Sequence, residues 1–203
     1  MKDINATVIV DLNKNEEQLI RDLHKDARWG INKAIKEGLI VKDGEDEDWK
    51  KFYDIYKATV VEGGTNSESL EKLKENTKAF FICKKDDKII AGAGIHFIDM
   101  YNDRMPRLYF NASLKEFQSF QPNNLLYWKC MLWCKKNGYK EFDLGGYQIK
   151  AKGHLEGINK FKEKWGKVVY YHKDYPIIRA IGRKLIRNSG VLWWLNKKLR
   201  GRK

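Results

Sequence analysis

The stretch AFFICKKDDKIIAGAGIHFID in the middle of the chain limits the fold most. Lys78–Lys84 and Lys88–Asp99 have strand composition, and Asp86-Asp87 between them reads as a hairpin turn. RLYFNAS, Arg107–Ser113, adds a third strand directly after. The fold must therefore cover the faces of a sheet. Helices are available on both sides of this meander. Upstream, apolar residues recur at Leu19, Leu23, Ala27, Ile31 and Ile35, a spacing of four that predicts one long helix stopped by Gly38. Asn13 or Asn15 is positioned to cap it, and ATVIVDL (Ala6–Leu12) before it reads as a strand. Leu39–Val41 reads as a short strand, Asp48–Val61 as a helix and Ser67–Glu75 as a second helix capped by Ser67. Downstream, Asn123–Asn137 reads as a helix ended by Gly138, and Lys140–Leu144 as a strand. A loop with Gly145, Gly146 and Gly153 follows, then a helix in GINKFKEKWG (Gly157–Gly166) and a strand at Lys167–His172. Strands interleaved with helices around a hairpin meander predict a mixed α/β sheet flanked by helices. No internal repeat or low-complexity linker interrupts it.

Charge divides the chain at its end. The net charge is +13, and Pro176–Lys203 holds nine basic residues and no acid. The expected organisation is a domain over 1–175 and a basic, helix-patterned tail over 176–203. Val191-Leu192-Trp193-Trp194-Leu195, followed by lysines and arginines, suits three roles: docking on the domain, lying in an anionic membrane interface, or contacting an RNA backbone. No run of 18 apolar residues is present, and the N-terminus lacks the pattern of a secretory signal. Three cysteines, an odd number, argue against a disulfide framework and for a reducing, cytoplasmic setting. Cys130 and Cys134 are four apart on one predicted helix. Without further ligands nearby they read as core rather than metal site.

The two motifs FDLGG (Phe142–Gly146) and GINKFKEKWG, with the helix NNLLYWKCMLWCKKNG before them, resemble the FemAB family. These are aminoacyl-tRNA-dependent transferases that build peptidoglycan interpeptide bridges, together with their relatives. WGINKAIKEGLIV (Trp29–Val41) is similar to a further helix of that family, departing at Trp29-Gly30. The resemblance covers Thr7 to His172, and from Leu39 onward the element order matches the GNAT acyltransferase fold. FemAB enzymes carry two GNAT-like halves. This chain has the length of one, plus an additional N-terminal strand and helix, which leaves the acceptor open.

The resemblance implies a donor of aminoacyl-tRNA, an acceptor amine on a cell-envelope precursor or peptide, and no cofactor or metal. It implies that Lys162 stabilises the oxyanion of the transfer, with Phe161 beside it at the donor's terminal adenosine and Trp165 grouped with them. On residue chemistry, Asp143 at a strand end is the candidate base, against the alternative of a loop anchor. Gly145 and Gly146 can admit substrate close to the backbone, or simply form a turn. His154 precedes the key helix but the motifs do not select it. The basic face of the first long helix is either solvated or anion-binding; in the second case Arg28 and Lys33 contact phosphate. An acyl-CoA-dependent GNAT enzyme is the nearest rival. The segment FQSFQPNNLLYW (Phe117–Trp128), where its glycine-rich diphosphate loop belongs, has Gln118 and Gln121 but no glycine, and Pro122 removes one N–H. A non-catalytic RNA- or membrane-binding module is the third reading.

Overall fold

The computed structural model describes residues 6–64, 66–100 and 103–170. Among the described residues, seven strands form one sheet in the spatial order β2-β3-β4-β5-β6-β1-β7. They are β1 (Ala6–Asp11), β2 (Leu39–Asp43), β3 (Ala79–Lys85), β4 (Lys88–Met100), β5 (Asp103–Ser113), β6 (Glu141–Tyr147) and β7 (Lys167–Tyr170). All neighbours are antiparallel except β5 and β6. The expected mixed sheet with flanking helices is present.

β3 shows how the layers arise. Its side chains alternate, so Phe80 and Ile82 enter one apolar cluster while Phe81 and Cys83 enter another on the opposite face. Helix α3 (Asp48–Glu62) covers the first face with Trp49, Phe52 and Tyr56, whose rings pack on Phe80 and Phe110. The second face is covered by α2 (Lys25–Lys36) and α5 (Pro122–Lys136), in contact through Gly30. A methyl group on Gly30 would meet the Asn124 side chain at 2.5 Å, so this residue lets the two helices approach.

Several elements differ from the sequence expectation. The long first helix is two: α1 (Glu16–Asp22), capped by Asn15 through a capping box with Gln18, and α2. The chain is extended at Leu23, and the His24 imidazole accepts the Asp26 N–H to start α2. Leu19, Leu23, Ala27 and Ile31 are all buried, so the apolar spacing runs straight across the break and conceals it. Ile35, the last of that series, is 57% exposed. Helix α4 is Leu70–Asn76, capped by Ser69 rather than Ser67. A 3-10 helix at Lys115–Phe120 precedes α5. Strand β5 begins at Asp103, four residues before the expected start, and its pairing with β4 continues through Pro106 opposite Phe97. Gly145 and Gly146 belong to β6, not to a loop, and helix α6 runs His154–Glu163, so Gly157 is interior to it and Trp165 lies beyond it. The basic tail, Pro176–Lys203, lies outside the described residues.

Candidate active site

β5 and β6 run parallel and make one ladder pairing, Arg107 opposite Asp143. Beyond it the strands separate, and a cleft of about 520 Å³ opens between Leu108–Asn111 and Leu144–Gly146. Asn123 and Tyr127 of α5 and His154, Gly157, Ile158, Phe161 and Lys162 of α6 complete its walls.

The apex is pinned by charge. Asp143 is 0% exposed, and its Oδ2 accepts from Arg107 Nε at 2.7 Å and Nη2 at 2.6 Å. Its Oδ1 accepts the Gly145 N–H at 2.7 Å and the Thr7 hydroxyl. Both oxygens are occupied by donors that fix β1, β5 and β6 together, as a buried carboxylate requires. Asp143 does not line the cleft, so the geometry matches its anchoring role rather than direct contact with a substrate.

Gly145 turns the strand there. Its φ of +80° is a left-handed conformation that side chains disfavour. The turn presents the next carbonyl, Gly146 O, to the Lys162 ammonium, which donates to it at 3.0 Å. The Lys162 side chain is half-buried, and loss of hydration pushes its pKa down to about 8 from 10.5. The Asp143 carboxylate opposes this shift and the Arg107 guanidinium adds to it.

Phe161 has a double role: it lines the cleft and stands edge-on to Tyr127, ring centroids 5.0 Å apart. Trp165 is 4% exposed, packs on Tyr127 at 5.5 Å and lies in the core away from the cleft. Arg28 and Lys33 also lie outside the cleft lining. The Arg28 guanidinium donates to the carbonyls of Arg21 and Leu23, closing the end of α1, and Lys33 Nζ sits 5.2 Å from the centre of the exposed Trp29 ring. Cys130 and Cys134 are fully buried, and burial pushes both thiols well up.

Arg107, Thr7, Tyr109 and His154 were not selected from sequence. An arginine inside a strand run, RLYFNAS, was the available signal for the first. The pairing of Thr7 with Asp143 spans 136 positions and leaves no local trace.

The sequence profile of the FemAB family matches residues 1–71 and 61–172. No curated protein matches. Among solved structures, FemX superposes with a TM-score of 0.70 at 16% identity, over 87% of this chain and 64% of its own. L-PGS from Bacillus licheniformis gives 0.55 at 16% identity, over 90% and 65%. The GCN5-related glucosamine N-acetyltransferase region of a fungal multi-domain GH3 β-N-acetylglucosaminidase gives 0.52 at 14%, over 63% and 17%. At these identities the likeness shows a common GNAT-like fold. The chain spans less than two thirds of the length of each of these structures.

Proposed function

The chain belongs to the FemAB family, and from that membership we propose that it is an acyltransferase that moves an aminoacyl group from aminoacyl-tRNA to an amine of a cell-envelope component. The observation that carries this proposal is the Lys162 ammonium, half-buried at the cleft wall and held by Gly146 O. An aminoacyl ester is already activated, so no enzyme nucleophile is needed. Positioning of the two substrates and stabilisation of the oxyanion are sufficient. In a cleft that excludes part of the solvent, a fixed cation is worth more to a developing oxyanion than in water. Phe161, beside Lys162 on α6, offers a face to the donor's terminal base, a contact worth about 1–3 kcal/mol.

The start of α5 speaks for an ester donor over acyl-CoA. A diphosphate needs several free N–H groups at a helix N-terminus. Here Pro122 contributes none, Gln121 is left-handed at φ 65°, and the Asn124 N–H is already given to the Gln121 carbonyl at 3.1 Å.

The test is a donor assay on purified protein, with a pool of aminoacyl-tRNAs in one arm and acetyl-CoA in the other, and a soluble peptide amine as acceptor. Saturable tRNA binding with transfer lost in Lys162→Ala is the expected result. Binding and transfer from acetyl-CoA alone would overturn it. A cell-envelope acceptor is tested by replacing the peptide amine with a peptidoglycan precursor and with an aminoacylatable lipid.

A further inference from the structure

Asp143 has no unengaged oxygen, which leaves open where the proton of an attacking amine goes. A second pair of titratable groups reaches from the cleft wall, Tyr109 on β5 and behind it Glu68 in the segment before α4. Gly94 of β4 pairs with Phe110 and Ile95 pairs with Leu108, so Tyr109 is the extra residue of a β-bulge. Bulges re-aim side chains and gather beside active sites. Tyr109 forms part of the cleft wall, and its hydroxyl donates to Glu68 Oε2.

Glu68 is held as firmly as a residue before a short helix can be. Its carbonyl accepts the Tyr53 hydroxyl at 3.0 Å, and its N–H reaches the Tyr56 oxygen at 3.5 Å. Lys72 Nζ lies 3.5 Å from the other carboxylate oxygen, Oε1. His96 of β4 stacks on the Tyr109 ring, centroids 4.5 Å apart and planes within 12°. Both its burial and the Arg107 charge favour the neutral imidazole. The groups around the pair are Lys72 and Asn76 from α4, Tyr53 and Tyr56 from α3 and His96 from β4; Arg107 and Asp143 act by charge on His96, and Lys162 lines the same cleft. The phenol itself is pushed up to about 12, first by burial and then by Glu68.

We propose that Tyr109 receives the proton of the attacking amine and hands its own to Glu68, a two-link relay that serves the aminoacyl transfer proposed above and rests on it. The neutral amine's lone pair forms the bond to the ester carbon, and the carbonyl electron pair moves to the oxygen beside Lys162. An N–H proton passes to Tyr109 Oη as the hydroxyl proton passes to Glu68 Oε2. Collapse restores the carbonyl and breaks the ester C–O bond. The proton returns through Tyr109 to the leaving ribose oxygen, so amine and ester become amide and alcohol, and Glu68 ends as it began. Tyr109 is the catalytic residue of this pair and Glu68 its positioning and proton-holding partner.

The experiment compares wild type, Glu68→Gln, Glu68→Asp, Tyr109→Phe, the Glu68→Gln/Tyr109→Phe double variant and Lys162→Ala. Each forms amide from aminoacyl-tRNA with a lysyl peptide and, separately, with hydroxylamine. The relay predicts a loss in kcat of roughly 10²-fold for Glu68→Gln and for Tyr109→Phe, no further loss in the double variant, and partial recovery in Glu68→Asp. The loss shrinks to under about 10-fold with hydroxylamine, whose attacking nitrogen sheds its proton more readily. The ultraviolet titration of the Tyr109 phenol, read as the difference from Tyr109→Phe, moves down toward the ordinary tyrosine value near 10 in Glu68→Gln. Multiplying losses in the double variant, or a phenol titration unmoved by Glu68→Gln, overturns the relay alone when wild type is active and Lys162→Ala is not. A wild type that transfers from no tRNA overturns the relay together with the aminoacyl proposal.

Discussion

A lysine ammonium that has given up part of its hydration holds its proton less tightly, and at Lys162 this bears on stability and on the transfer proposed above. With its pKa at about 8, it is cationic at neutral pH and loses its charge as pH rises through that value. Transfer that depends on the cation therefore falls above pH 8 in the wild type, once the rate is corrected for ionisation of the acceptor amine. In Lys162→Arg the residual activity stays level through the same range, because the guanidinium does not titrate there; parallel pH–rate profiles check this. The stability effect has the opposite sign. Between about 8 and 10.5 the unfolded chain keeps a proton that the folded chain has released, so stability rises with pH across that window, and below it the half-buried charge is a cost. Lys162→Met should abolish transfer yet stabilise the fold by about 1–2 kcal/mol at pH 7, with the gain fading by pH 10.5 in urea titrations. Gly145→Ala places a Cβ at φ +80°, 3.5 Å from the Leu108 carbonyl, and should cost about 1–2 kcal/mol in the same assay while displacing the carbonyl that holds Lys162. At this scale much was legible. The resemblance of GINKFKEKWG to the family motif singled out Lys162 and Phe161; residue chemistry alone allowed a solvated lysine and a core aromatic. The sequence could not separate Phe161 from Trp165, since both are aromatic and one turn apart. Only the packing puts the first at the cleft and the second in the core.

A strand needs a neighbour for its full length unless something holds it open, and the β5–β6 junction is where this sheet opens. Arg107 and Asp143 form its one ladder pairing and its apex ion pair. Arg107→Met would leave the fully buried carboxylate without its cation, and a cost of about 3–5 kcal/mol is expected from urea unfolding. The Arg107→Met/Asp143→Leu double variant should recover most of that loss, because no charge then remains buried. If the double variant is as unstable as the single, the apex is held by packing instead of charge. The ends of the elements were less legible than their existence. The α1–α2 break is invisible to periodicity because Leu23 stays in phase with the buried series while its backbone is extended. The bulge at Tyr109 is equally silent, since RLYFNAS reads as an uninterrupted strand.

Across the whole molecule, the placement of the first strand is decisive. β1 lies between β6 and β7, antiparallel to both, pairing Thr7 with Gly146 and with Val169. An N-terminal strand that read as an addition to the GNAT-like half is interior to the sheet and supplies a hydroxyl to the apex of the cleft. Removing Met1–Asp11 should therefore abolish cooperative thermal unfolding, followed by circular dichroism, because β6 and β7 each lose their common neighbour. A shortened chain that still melts sharply within a few degrees of the wild type would mean that β1 is dispensable. What the sequence determined by itself was the kind and order of most elements, the mixed sheet, the family and the lysine-bearing helix, all of which depend on composition and on neighbours within a few residues. The tertiary structure decided which strands pair, where they part, and which polar groups meet at the parting. Those depend on contacts between positions far apart in the chain, 36 residues for Arg107 and Asp143 and 136 for Thr7 and Asp143. Many pairings of the same strands satisfy the local pattern, and only simultaneous burial of both sheet faces and satisfaction of the Asp143 carboxylate select one.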